Sequence, residues 1–161
     1  MVKKRGQAWG IDVTLAAMIF VAGIVVFYLY TINYKSGEGL EVEEGRFEAG
    51  LVASSILSEG VPEDWNQSSV SKIGILTQGQ INETKLARFY NLTSTDYERT
   101  KQLFGVRYDY FINLSAPLVI EGSLREGIGK RPDENAENTL KLTRFTNYQN
   151  KPVTIEVIAW N

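Results

Sequence analysis

The stretch VTLAAMIFVAGIVVFYLYTI, residues 13–32, decides the organisation of this chain, because it holds no charged side chain across twenty positions. As an α-helix it would be about 30 Å long, which is roughly the thickness of the hydrocarbon core of a bilayer. It is too long and too uniformly apolar for the hydrophobic region of an ordinary secretory signal peptide. The sequence therefore predicts one helix that crosses or enters a membrane.

The charges on the two sides of this stretch predict its orientation. Lys3, Lys4 and Arg5 precede it, whereas residues 35–48 are acidic on balance. Positive charges near a membrane helix are retained on the cytoplasmic side. We therefore expect the N-terminus in the cytoplasm and the chain from residue 33 onward outside the cell.

Composition limits what the exported part can do. About 125 residues follow the membrane helix, which suits one domain with its own core. The net charge of the whole chain is −2, and it becomes more negative without the three leading basic residues, so no nucleic-acid partner is predicted. The chain has neither cysteine nor histidine. This excludes disulfides, thiol nucleophiles, Cys/His zinc sites and histidine acid–base catalysis.

A short basic tract and a glycine precede the apolar stretch, since the three basic residues are followed by Gly6 and Gln7. This arrangement resembles the class III leader of archaeal type IV pilin-like proteins. The resemblance implies that a prepilin-type peptidase cuts between Gly6 and Gln7 on the cytoplasmic side of the membrane. It also implies that the apolar helix stays on the mature protein.

Asp12 begins the apolar stretch, and its role has two open interpretations. In the better-known family pattern a glutamate occupies the fifth mature position, whereas here Ile11 is fifth and Asp12 sixth, about 100° further around a helix. As a helix-start residue, Asp12 would accept hydrogen bonds from unpaired amide groups and favour the positive end of the helix dipole. The resemblance implies a role in assembly instead, in which Asp12 pairs with the freed amine of Gln7 on a neighbouring subunit.

The sequence divides into four parts: a leader at residues 1–6, a hydrophobic helix at 7–34, an amphipathic helix at 35–60 and an extracytoplasmic head at 61–161. Gly37 and Gly39 weaken a helix and predict a kink or break between the two helices. The amphipathic pattern covers residues 40–58, with apolar residues at 49, 52, 53, 56 and 57. Gly60 and Pro62 predict where it ends.

Short elements are predicted at the start of the head: a strand at residues 70–76 and helices at residues 83–90 and 96–104. Asn82 and Thr95 are the expected N-caps of these helices, and Gly105 is the expected end of the second.

The rest of the head alternates with a period of two, which predicts strands at residues 106–114, 118–121, 139–148 and 153–160. A turn at residues 149–152 joins the last two, and residues 122–138 are expected to form a long exposed loop. The last strand is apolar on both faces, so we expect it to be central. The predicted fold is α+β: a long N-terminal helix, a short helical subdomain and an antiparallel sheet, which is a pilin-like layout.

Four Asn-X-Ser/Thr triplets follow the membrane stretch, at Asn66, Asn82, Asn91 and Asn113. They predict N-glycosylation of a surface protein. The alternative is chance, because asparagine, serine and threonine are frequent here. Asn82 also serves as a predicted helix cap, and Asn113 falls within a predicted strand.

No residue pattern predicts catalysis, a metal or a cofactor. We therefore expect a structural role, as a major or minor pilin-like subunit of a surface filament. The alternative is a single-pass membrane protein whose head acts as a binding or adhesion module without polymerising. The predicted partners are the membrane, the prepilin-type peptidase, and copies of the chain or related subunits.

Overall fold

The computed structural model describes residues 5–34, 38–120, 122–133, 136 and 139–161, with side chains at 10–32 and, within these ranges, from 42 onward. The chain divides into two compact units, Met1–Leu40 and Glu41–Asn161. The first unit holds the apolar helix. The second is a head of mixed helices and strands.

The first helix, α1, spans Arg5–Tyr34 and confirms the predicted apolar helix. Its segment Gly10–Ile32 is long and apolar enough to cross a membrane, and its large apolar side chains are all about half exposed or more. The Thr14 and Thr31 hydroxyls donate to the carbonyls of Gly10 (2.7 Å) and Phe27 (2.8 Å). These hydroxyls are thus satisfied within the helix, as an apolar surrounding requires.

The second helix, α2, spans Glu38–Ile56. The predicted break between the helices lies partly outside the described residues, because residues 35–37 separate α1 from α2. Four apolar residues of the predicted inner face are at most 1% exposed: Ala49, Val52, Ala53 and Ile56. The helix ends at Ile56, two residues before the predicted end at 58. Gly60 lies in the turn that follows, with a φ of +78°.

The strand predicted at residues 70–76 is wrong. The backbone of this segment bonds to the end of α2 instead of to a long neighbouring strand. The Ile75 N–H donates to the Ile56 carbonyl at 2.9 Å, and the Ser55 hydroxyl donates to the Ile73 carbonyl at 2.7 Å. The apolar residues of this segment cover the end of α2. Composition alone cannot distinguish such a segment from a buried strand. The first regular strands are β1 at Leu76–Thr77 and β2 at Gln80–Ile81.

Two helices follow, α3 at Glu83–Thr95 and α4 at Tyr97–Phe104. Asn82 caps α3 as predicted, because its side chain accepts from the Lys85 N–H at 3.1 Å. The prediction of Thr95 as the second cap is wrong: α3 continues through Thr95, and Asp96 caps α4 by accepting from the Arg99 N–H at 3.0 Å. Gly105 ends α4 as predicted, with a φ of +71°.

The remaining strands are β3 (Asp109–Leu114), β4 (Leu118–Ile120), β5 (Ser123–Arg125), β6 (Ile128–Gly129), β7 (Leu140–Tyr148) and β8 (Lys151–Trp160). Six strands form one sheet in the order β1-β2-β7-β8-β3-β6, and β4 pairs with β5 in a separate hairpin. Neighbouring strands are antiparallel, except that β2 and β7 run parallel. Since β8 lies between β7 and β3, the prediction of a central last strand is confirmed.

The exposed loop predicted for residues 122–138 is wrong in part, because it contains β5 and β6. Ile128 is only 1% exposed, and Gly129 has a φ of +113°. A Cβ atom on Gly129 would lie 2.3 Å from the Tyr110 carbonyl oxygen, so only glycine allows this close approach to β3. Strands this short have no periodicity of their own and are defined by their partner. Residues 134–135 and 137–138 of this loop lie outside the described part.

The last hairpin has a tighter turn than predicted. Only Gln149 and Asn150 lie between β7 and β8, with φ values of +51° and +59°. Two residues in the left-handed region match the right-handed twist of the flanking strands. Pro152 therefore belongs to β8, opposite Asn147, and not to the turn.

One cluster of buried side chains joins α2, α3 and α4 to one face of the sheet. The inner face of β8 contributes Val153, Ile155, Val157 and Ala159, all at most 7% exposed. At Gly45 in α2, an added Cβ would lie 2.3 Å from the Leu140 side chain, so α2 packs closely on β7. The chain thus combines a long apolar N-terminal helix with a head of helices on a largely antiparallel sheet, and the α+β class is confirmed.

Candidate functional site

The residues predicted from sequence fall into two groups. Gly6, Gln7 and Asp12 lie on α1, and the four candidate asparagines lie on the head.

Gly6 and Gln7 lie in the first turn of α1, which begins at Arg5. The first N–H groups of a helix have no acceptor within it. Opening this turn to fit the extended conformation that a peptidase binds therefore breaks little regular hydrogen bonding. The position of the bond is compatible with cleavage between Gly6 and Gln7.

Asp12 is exposed and lies about two turns into α1. It therefore lies beyond the first turn of α1, and it would still lie about 1.4 turns from the start of a chain shortened to Gln7. On a helix, positions 12, 16 and 23 share one face. That face carries Ala16 and Gly23 beside Asp12, and a Cβ added to Gly23 meets nothing within 4 Å.

Asn66 has the surroundings that best suit a glycan. It is exposed in a turn, and its Oδ1 accepts from the backbone N–H groups of Ser68 (2.8 Å) and Ser69 (3.1 Å). Both bonds use Oδ1, whereas a glycan is attached to Nδ2. The turn thus holds the side chain still without using the reacting atom.

Asn82 is half-buried, and both ends of its amide are in use. Oδ1 caps α3, and Nδ2 donates to the Thr77 hydroxyl at 3.2 Å. A glycan on Nδ2 would disturb this link between α3 and β1. The structure therefore gives Asn82 a capping role.

Asn91 and Asn113 lie in regular secondary structure. Asn91 is within α3, and Asn113 is within β3, opposite Glu156. Ser115, the serine of the Asn113 triplet, also bonds to the sheet. Its N–H donates to the Thr154 carbonyl at 3.0 Å, and its Oγ accepts from the Thr154 N–H at 2.9 Å. In the folded head this triplet is already held by β8.

A charged cluster that the sequence did not predict lies where α4, β3 and the residue after β6 meet. Asp109 pairs with Lys101 at 3.0 Å and with Lys130 at 2.5 Å, and its side chain is 19% exposed. Burial acts to raise the pKa of Asp109, but hydrogen bonds and charge from Lys130 and Lys101 outweigh it and hold the pKa below the ordinary value. Lys101 and Lys130 lie 8 and 21 residues from Asp109 and belong to different parts of the fold, so no helix or strand period connects the three.

Two tyrosines beside this cluster join α4 to β3. The Tyr97 hydroxyl accepts from the Tyr110 N–H at 2.8 Å, and the Tyr110 hydroxyl lies 2.5 Å from the Thr100 hydroxyl. Burial raises the pKa of Tyr110 to about 12 and raises the pKa of Tyr97 further. Both phenols therefore stay neutral at physiological pH and serve as hydrogen-bonding links, not as bases.

Lys85 is another polar residue that serves the fold. It is 5% exposed, and its Nζ donates to the carbonyls of Glu59 (2.9 Å) and Leu76 (2.8 Å). These bonds hold the chain after α2 against β1. Within the described ranges, no group of three or more acidic side chains is placed to hold a metal ion.

Comparison with known proteins gave no matching family model, no matching curated protein and no matching solved structure.

Proposed function

We propose that this chain is a pilin-like structural subunit of a type IV pilus-like surface filament. The observation that carries the proposal is the state of α1: its apolar side chains are exposed around the whole helix, while the head has a core of its own. Burying one large apolar side chain is worth about 1.5–3 kcal/mol. Leaving fifteen of them in water would cost more than the typical stability of a domain. The helix therefore needs an apolar surrounding, which a bilayer supplies before assembly and neighbouring helices supply in a filament.

The leader supports the choice of a filament over a simple anchor. A simple anchor needs neither a glycine before Gln7 nor removal of the residues ahead of it. Cleavage at this bond would leave a new amine at Gln7, which is mostly protonated at neutral pH. This amine would lie close in sequence to the carboxylate of Asp12.

The free-energy cost of placing the Asp12 carboxylate in a membrane gives a reason for assembly. A carboxylate at the centre of a bilayer costs roughly 2.5–3.5 kcal/mol on insertion scales, and less near the headgroups. In a bundle of helices, the Gln7 amine of a neighbour would neutralise it, and the small residues Ala16 and Gly23 on the same face would allow close approach. Assembly should therefore depend on Asp12 more strongly than membrane insertion does.

The test compares Asp12→Ala with Thr14→Ala in cells that produce the chain. Thr14 is the matched control, because it is an exposed polar residue on the same helix and its hydroxyl bonds only within that helix. Both variants should insert and be processed. In sheared surface filaments, we expect Asp12→Ala to be depleted several-fold, Asp12→Glu to be partly retained and Thr14→Ala to match the unchanged chain.

One result would contradict the filament proposal, and another would contradict only the role of Asp12 in it. Finding the unchanged chain only in membranes of filament-bearing cells would favour a membrane-anchored binding module. Normal incorporation of Asp12→Ala would leave the filament role intact but remove the proposed pairing with Gln7.

A further inference from the structure

The outer edge of β7 is open over most of its length. β7 spans Leu140–Tyr148 and pairs with β8 along one edge throughout. On its other edge, within the described residues, it pairs with β2 at a single position, Asn147 opposite Gln80. Residues 140–146 therefore form a seven-residue edge without a neighbouring strand in the described part of the head.

The hydrogen bonds of β8 show which backbone groups face this edge. The N–H and carbonyl of Thr154 both bond to Ser115, on the side of β8 away from β7. Thr154 stands directly opposite Phe145. Thr154 and Phe145 therefore form a non-hydrogen-bonded pair, in which the backbone N–H and carbonyl groups of the two residues point away from each other. In an antiparallel ladder this pattern repeats every second residue. Phe145, Thr143 and Lys141 therefore direct their N–H and carbonyl groups to the open edge.

This edge has little of the protection found on natural edge strands. Such strands are usually short, bulged, interrupted by proline or lined with charge. Residues 140–146 contain no proline, and their register with β8 is continuous, without a bulge. Of the two charged residues here, Lys141 is already paired with Glu156 at 2.7 Å. Phe145 is 80% exposed at the middle of the strand.

We propose that this edge pairs antiparallel with the same edge of a second copy of the chain, with Thr143 opposite Thr143 of the second copy. The three residues that face the edge then form three hydrogen-bonded pairs, and each such pair exchanges two bonds. The exposed Phe145 ring lies opposite the Lys141 side chain, whose stem and ammonium group both suit an aromatic surface. The two sheets become one continuous sheet across a twofold axis.

Charge and length select this register over its neighbours. A pair centred on Lys141 or on Arg144 would place like charges directly opposite, which destabilises a sheet. A pair centred on Phe145 would run into the position that β2 occupies beside Asn147. If the two edges pair about Leu142, only two of the three hydrogen-bonded residue pairs remain. The register centred on Thr143 fills the open edge from the first residue of β7 to the residue before Asn147.

This contact concerns the head alone and does not depend on the filament proposal. The occupant is a second copy because the register centred on Thr143 matches the three edge-facing residues with themselves, sets Phe145 opposite Lys141 and places no like charges directly opposite.

Single cysteines test the register, because the chain contains none of its own. The full chain would be kept in membranes or detergent micelles and exposed to a mild oxidant. In the proposed pair, the Cα atoms of two Thr143→Cys residues lie about 5.5 Å apart, within the disulfide range of about 4.4–6.8 Å. Two Lys141→Cys residues, or two Phe145→Cys residues, lie about 14 Å apart, since they are offset by four residues along the strand.

We expect Thr143→Cys to form a disulfide-linked dimer at least tenfold faster than Gln102→Cys, an exposed control on α4. Lys141→Cys and Phe145→Cys should each stay monomeric alone and cross-link when mixed. Adding Thr143→Pro to both should abolish the mixed dimer, because proline removes an N–H that faces the open edge and is tolerated on edge strands. Cross-linking of Thr143→Cys at the control rate, or a mixed dimer that persists with Thr143→Pro, would overturn the proposal.

Discussion

The Glu48 carboxylate accepts a hydrogen bond from the backbone N–H of Tyr108 at 2.7 Å, which links α2 to the residues just before β3. The same oxygen accepts from the Arg107 N–H at 2.8 Å, and Glu48 is 5% exposed. Its charge is compensated in part by the Arg107 side chain, whose Nε lies 3.4 Å from the other carboxylate oxygen. A buried acidic residue on the inner face of α2 thus fixes where β3 begins.

Replacing Glu48 by alanine should destabilise the head. Two backbone N–H groups would lose their acceptor, and each unsatisfied buried group costs about 1–3 kcal/mol. Glu48→Gln should cost less, because both N–H groups bond one oxygen and an amide keeps one. Glu44→Gln is the control, since Glu44 is an exposed partner of Arg107 and such pairs are worth at most about 1 kcal/mol.

Urea unfolding in detergent measures these differences, with the buried Trp65 and Trp160 as fluorescent reporters in the head. Equal midpoints for Glu48→Ala and Glu44→Gln would show that the buried carboxylate does not hold β3.

The Asp109 cluster should make the stability of the head depend on pH. The folded-state pKa of Asp109 is lowered, so its contribution is present above the ordinary aspartate pKa of about 3.9 and is lost as pH falls through the folded value. Asp109→Asn removes the charge at every pH. We therefore expect Asp109→Asn to lower the free energy of unfolding by about 1–3 kcal/mol at pH 7 and by progressively less below about pH 4.

Thermal melting at a series of pH values measures this effect. Glu126→Gln is the control, because it removes a carboxylate from an exposed pair with Arg131 and should change little at pH 7. If Asp109→Asn lowers the free energy of unfolding equally at pH 7 and pH 3, the charge of Asp109 does not stabilise the fold.

The elements predicted correctly are those whose evidence lies within one short stretch of sequence. The apolar length of α1 and the inner face of α2 are local patterns, and so is the alternation in β8. Asn82 and Gly105 act at single positions that local chemistry defines. Thr95 was wrong as a cap by one residue, because α3 continues through Thr95 and leaves Asp96 as the residue before α4. The capping-box spacing pointed to Thr95, since Glu98 follows it by three residues.

The elements missed are those that a distant partner defines. β6 is two residues long and exists because Gly129 lets the chain approach β3. Residues 70–76 cover the end of α2, which their composition does not reveal. The cluster around Asp109 joins Lys101 and Lys130 across different elements, so only the folded chain brings the three side chains together.

The four glycosylation triplets should differ in use. We expect glycan at Asn66, which lies in an exposed turn with Nδ2 unused by the turn, and no glycan at Asn82, whose Nδ2 bonds Thr77. Mass spectrometry of glycopeptides from the native protein checks both sites. Asn66→Gln should reduce the intact mass by one glycan. Asn82→Asp should change it only by the substitution, because aspartate keeps the helix cap.

Only bare peptide at Asn66, Asn82, Asn91 and Asn113 would contradict the prediction of glycosylation. Glycan at Asn82 with none at Asn66 would show instead that the sites are modified before the head folds.

Processing of the leader gives the last prediction, which concerns Gly6. We expect the native mature chain to begin at Gln7 and Gly6→Leu to keep its leader, because a prepilin-type peptidase would require a small residue before the cut. Gly10→Leu is the matched control: it makes the same substitution in α1, and an added Cβ there meets nothing within 4 Å. Each change raises helix propensity by nearly 1 kcal/mol, so a general effect on helix stability would act on both variants. N-terminal mass spectrometry should find Gln7 first in Gly10→Leu and an uncut leader in Gly6→Leu, whereas an intact Met1 or Val2 terminus on the unchanged chain would contradict processing at this bond.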